Sequence, residues 1–88
     1  MANDRLVGKI LDACERFERG DLSVAELQAA LEINAWALMG VDKSVRSKLR
    51  EFSNDLENIQ FASPLETRYQ ATCVVIKELR AYLRSALP

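Results

Sequence analysis

The chain predicts an all-α protein: a compact antiparallel bundle of four helices forming one domain over residues 1–88. Three observations predict it. Apolar residues recur at helical spacing in four successive segments. Glycine or proline marks each boundary between them, at Gly20, Gly40 and Pro64. No run alternates with period two, and the β-branched cluster Val74-Val75-Ile76 falls inside a helical period. The connections are short, so neighbouring helices should run antiparallel. With 88 residues, 49% of them apolar, the chain can bury one small core and no more.

Asn3 is placed to cap a first helix reaching about Arg19. Leu6, Val7, Ile10, Leu11, Cys14 and Phe17 form its apolar stripe. Gly20 then supplies the left-handed residue that stops it. Ser23-Val24-Ala25-Glu26 reads as a capping box, and a second helix follows from Val24 to about Met39, ended by Gly40. Asp42 or Ser44 caps a third helix over Lys43 to Gln60, with Val45, Leu49, Phe52, Leu56 and Ile59 as its stripe. Ser63-Pro64-Leu65-Glu66 reads as another capping box with proline at the first helical position. The fourth helix carries Leu65, Tyr69, Cys73, Ile76, Leu79 and Leu83 to near the C-terminus.

The second helix has two apolar faces. Val24, Leu27, Leu31, Asn34, Ala35 and Leu38 form one; Ala25, Ala29, Ile33 and Trp36 form the other. A helix apolar nearly all round is usually buried, which would make this one central. The alternative leaves Ile33 and Trp36 at a surface beside Glu32, and an exposed tryptophan next to an acid suits a binding hot spot.

Charge excludes several functions. Net charge is −1, which argues against nucleic-acid binding through global positive charge. The chain has no histidine, so the commonest general base and the commonest zinc ligand are missing. Its three glycines match no phosphate-binding loop, and no cofactor or metal is implied. Cys14 and Cys73 are far apart in sequence and inside apolar patterns, which fits reduced, buried thiols better than a disulfide. The N-terminus lacks a signal core, and no apolar run approaches the roughly 20 residues needed to span a bilayer, so the expected location is cytoplasmic.

The third helix carries Lys43, Arg46, Lys48 and Arg50 first, then Glu51, Asp55 and Glu57. That order opposes the helix dipole, which favours acids at the N-terminus and bases at the C-terminus. Either these charges lie outside the terminal turns, or a charged partner is served. Glu51, Asp55 and Asn58 extend along one flank as a row that can be solvated, hold a cation, or receive basic groups from a partner. A helix-turn-helix reading founders on the acids that directly follow the basic cluster. Small helical chorismate mutases have similar length, and Arg5, Lys9, Arg16, Lys48, Arg50 and Gln60 offer their residue types. Their long first helix and its spacing are not reproduced, since Gly20 stops the helix too soon.

The segments Phe17-Glu18-Arg19-Gly20-Asp21-Leu22-Ser23-Val24-Ala25-Glu26-Leu27 and Asp55-Leu56-Glu57-Asn58-Ile59-Gln60-Phe61, with Arg68 beyond, resemble small all-helical immunity proteins of contact-dependent and other polymorphic bacterial toxin systems. The resemblance implies a non-catalytic protein, monomer or homodimer, that neutralises a cognate toxin domain by binding it. Nuclease toxins expose basic surfaces, so the expected partner-binding residues are Glu32, Trp36, Glu51, Asp55, Glu57 and Asn58. A homo-oligomeric adaptor pairing through the second face of the second helix is the alternative.

Overall fold

The computed structural model describes residues 2–86. It is a bundle of four helices: α1 (Ala2–Glu18), α2 (Val24–Trp36), α3 (Lys43–Ala62) and α4 (Leu65–Ala86). No strand occurs among the described residues. α2 packs between α1 and α3, while α4 packs chiefly on α3 and only lightly on α1.

The local signals at the first two boundaries hold. Gly20 adopts φ +86°, its amide donates to the Phe17 carbonyl, and the Asp21 amide donates to Arg16. These are the paired bonds of a Schellman stop. Ser23 caps α2 reciprocally: its hydroxyl accepts from the Glu26 amide at 3.1 Å, and its own amide donates to the Glu26 carboxylate at 2.9 Å.

Three boundaries differ from the sequence expectation. Asn3 lies inside α1 and is not its cap. Its side chain instead clasps Met39, donating to the carbonyl at 2.7 Å and accepting from the amide at 3.1 Å. α2 ends at Trp36, not Met39, and Gly40 (φ +69°) turns the loop rather than stopping the helix. The reason is tertiary. Arg46 donates to the Leu38 carbonyl at 2.5 Å, and Asn3 of α1 accepts from the Met39 amide, a donor that a helix reaching Met39 would have bonded internally. The second capping box does not form. The Ser63 amide closes α3 on Ile59, its carbonyl accepts from Arg68 Nε at 3.0 Å, and the Thr67 hydroxyl donates to Pro64.

The core is a single cluster. Ile10, Cys14 and Phe17 of α1, Leu27 and Leu31 of α2, Leu49, Phe52 and Leu56 of α3, and Ile76, Leu79 and Leu83 of α4 are all buried in it. Leu6, Val7 and Leu11 pack at its edge. The predicted stripe of α3 is buried throughout. That of α4 is correct only in its second half. Leu65 is 76% and Tyr69 49% exposed, and Thr72 and Val75 turn inward in place of Cys73. Tyr69 lies against α1, stacking on Phe17 at 5.4 Å and donating to the Glu18 carbonyl. Glu18 also accepts both guanidinium nitrogens of Arg80, at 2.6 and 2.8 Å, which ties α1 to α4. Both cysteines are free thiols; Cys14 is buried and Cys73 half-buried.

Candidate functional site

α2 is not a central helix buried on all sides. Its face Val24, Leu27, Leu31, Asn34 and Ala35 is buried, and the loop residue Leu38 continues it. Its other face is bare: Ala25, Ala29, Ile33 and Trp36 are all exposed, Ile33 at 71% and Trp36 at 49%. A surface helix ordinarily spends this side on polar residues. Here only the edges are polar.

The seam between α2 and α3 consumes one of the nominated residues. The Glu32 carboxylate accepts from the Ser53 hydroxyl at 2.5 Å and from Gln28 Nε2 at 3.2 Å. Gln28 in turn accepts from Gln60 Nε2, extending the seam toward the end of α3. Ser53 is buried, so Glu32, itself half-buried, ties α2 to α3 through one of its carboxylate oxygens.

Trp36 keeps basic company. The Arg50 guanidinium sits 5.8 Å from its ring centroid, a cation–π arrangement. Ala35, Trp36, Arg46, Leu49 and Arg50 line a small cavity of about 40 Å³, room for roughly one water. The expected pairing of the tryptophan with acids is therefore only partly realised: Glu32 is turned to Ser53, and the nearest charges lining the cavity beside the ring are arginines.

The four nominated residues of α3 are all exposed but do not form one patch. At about 100° per residue, Glu57 falls on the α2 side of the helix with Arg46 and Arg50. Glu51, Asp55 and Asn58 fall on the opposite flank, toward α4. Glu51 lies 3.8 Å from Lys48, an exposed pair of little energetic weight. Asp55 and Asn58 enter no hydrogen bond or ion pair within the described chain.

The apparent conflict of α3 with its dipole dissolves on inspection of its ends. The helix runs to Ala62, so Glu51, Asp55 and Glu57 all precede the last turn. Asp42 stands at the N-cap and offsets Lys43. The dipole acts over the first and last turns only, so the acids of α3 carry no dipole cost; of its bases, Lys43 and Arg46 stand in the first turn, and Arg46 is engaged by the Leu38 carbonyl.

The chorismate-mutase set is dispersed. Arg5, Lys9 and Arg16 are exposed on α1, Lys48 lies over Phe52, Arg50 over Trp36, and Gln60 bonds Gln28. The larger concavity, about 370 Å³ and open, lies between α1 and α4, lined by Gly8, Leu11, Asp12, Glu15, Arg80 and Arg84. None of that set lines it. Gly8 has nothing within 4 Å of a notional Cβ, so it does not serve close helix packing. No group of acids and cysteines with metal-binding geometry occurs among the described residues, and no described helix is long and apolar enough to cross a membrane.

The residues that carry the immunity-protein resemblance have structural roles of their own. Phe17 and Leu27 are core, Gly20 is the helix stop, and Ser23 with Glu26 is the capping box. Leu56 and Ile59 are core, Gln60 belongs to the seam, and Arg68 anchors the α3–α4 turn. Sequence reasoning missed Arg50 and Arg46 as the neighbours of Trp36. The only signal was their place one side of the α3 stripe, which does not say which helix lies there. Comparison with protein-family models, with curated proteins and with solved structures finds no significant match to this chain.

Proposed function

We propose that the chain is a non-catalytic binding protein that neutralises a bacterial toxin domain by direct contact, as immunity proteins do. The observation that carries this reading is the exposed row Glu51, Asp55 and Asn58 on the α4-facing flank of α3. Two carboxylates and an amide stand there on a rigid helix, backed by the buried residues Phe52, Leu56 and Ile59. Such a row attracts a basic surface over distance, speeds encounter and fixes orientation. Trp36 and Glu57 belong to a different side of the hairpin, and Glu32 supports the fold, so the partner-binding set contracts to Glu51, Asp55 and Asn58.

The test is affinity capture of the tagged protein from its native cells, in parallel with the double variant E51K/D55K. Both positions are exposed, so the variant should fold. The expected result is stoichiometric recovery of a basic toxin domain by the parent and its loss from the variant. Recovery that is indifferent to the charge reversal would reject this surface. A homo-oligomeric adaptor is the second reading, favoured by the bare apolar face of α2. An adaptor of that kind is self-associated when pure and captures no toxin.

A further inference from the structure

We propose that the outer face of α2 is the interface of a two-fold symmetric homodimer in which two copies of α2 pack antiparallel. The occupant of this face is a second copy of the chain, complementary to it in side-chain size and in charge.

Size comes first. Along the outer face the N-terminal half carries Ala25 and Ala29, and the C-terminal half carries Ile33 and Trp36. An antiparallel pair centred between Ala29 and Ile33 sets each Ile33 over Ala29 of the second copy and each Trp36 over Ala25. Small residues let the helix axes approach, and large ones fill the space opposite. A parallel pair would set tryptophan on tryptophan and alanine on alanine, leaving a gap at one end.

Charge agrees independently. The register of α2 on α3 is fixed by three contacts: Glu32 on Ser53, Trp36 under Arg50, and the Leu38 carbonyl on Arg46. The midpoint of the α2 face is therefore level with about Asn54 of α3. A two-fold axis lying in the interface, between the two α2 helices and perpendicular to both, keeps the two α3 helices on the same side, running in opposite directions. Arg50 and Glu57 straddle Asn54, four residues before and three after it. The axis thus brings Arg50 of each copy against Glu57 of the other, twice over. Both side chains are exposed, both lie on the α2 side of α3, and neither is in an ion pair within the described chain. Glu57, whose orientation serves no contact inside this chain, thereby gains a partner.

A helix of 13 residues is about 20 Å long, and this face with the α3 rim is smaller than the roughly 800 Å² per partner of a standard interface. The dimer is accordingly a weak, transient one. Glu51 and Asp55, on the far flank of α3, stay open in it, so toxin binding through these two carboxylates does not compete with self-pairing.

The experiment is sedimentation equilibrium of the purified full chain from about 1 µM to about 1 mM. The expected mass rises from 9.9 kDa toward twice that value with concentration. A29E should hold the chain monomeric while leaving its helical circular dichroism unchanged. R50E and E57R should each weaken dimerisation several-fold, and the charge-swapped double R50E/E57R should recover most of the loss. A chain monomeric throughout would overturn the proposal. So would a dimer indifferent to A29E, or one in which the double variant is no better than the single ones. None of these outcomes bears on toxin capture, which is read through Glu51 and Asp55.

Discussion

Thr72 and Ser53 are both buried hydroxyls, yet removing them should move stability in opposite directions. Thr72 Oγ1 lies in the core with no hydrogen-bond partner, on a residue with no exposed surface. A buried hydroxyl without a partner forfeits about 1–3 kcal/mol of hydration. Thr72→Val keeps the shape and the β-branch, so helix propensity hardly changes. It replaces the hydroxyl by a methyl and recovers part of that cost. The net expected gain is about 1–2 kcal/mol. For a domain of this size each kcal/mol is worth about 4–8 °C in Tm, so a rise of at least about 4 °C should be visible. Ser53 is the contrast. Its hydroxyl donates to the Glu32 carboxylate at 2.5 Å from a buried site. Ser53→Ala strips a half-buried carboxylate of a donor and should cost about 1.5–3 kcal/mol. Urea denaturation followed by circular dichroism at unchanged m-value measures both. A destabilised Thr72→Val would refute the reasoning, since it would mean that the hydroxyl is bonded in solution.

Other outcomes follow from the caps, the thiols and the α1–α4 bridge. Ser23→Ala should cost about 1 kcal/mol by removing a formed capping box, whereas Ser63→Ala, whose side chain caps nothing, should stay within about 0.5 kcal/mol of the parent in the same denaturation assay. Burial pushes the Cys14 thiol up to about 11, so in the native protein at pH 8 a disulfide-exchange reagent should titrate the half-buried Cys73 promptly and Cys14 only after denaturant is added. Hydrogen bonds from Arg80 hold the Glu18 carboxyl below its ordinary 4.5. A lowered folded-state value gives stability that is present above the unfolded value and lost as pH falls through the folded one. Glu18→Gln should therefore destabilise at pH 7 and converge with the parent in acid; parallel stability curves down to acid would show that the pair contributes nothing.

Four helices, their phases along α1, α2 and α3, and two of their boundaries were legible from residue order alone. Those are local matters. Periodicity at 3.6 residues picks out the inward face of Val45, Leu49, Phe52, Leu56 and Ile59, and the Gly20 stop and Ser23 box act within a few residues of themselves. Contacts between distant residues set the rest. α2 stops at Trp36 because Asn3, thirty-six residues from Met39, and Arg46 take up the backbone groups that follow. α4 turns Thr72 inward, leaves Leu65 bare and lays Tyr69 on Phe17 of α1, a phase that its own apolar spacing does not specify. Periodicity separates the faces of one helix but does not say which neighbour covers each. Whether the second apolar face of α2 met a helix or solvent, whether Glu32 met Ser53 or water, and which flank of α3 received Glu57 all depended on how the four helices were arranged around one core.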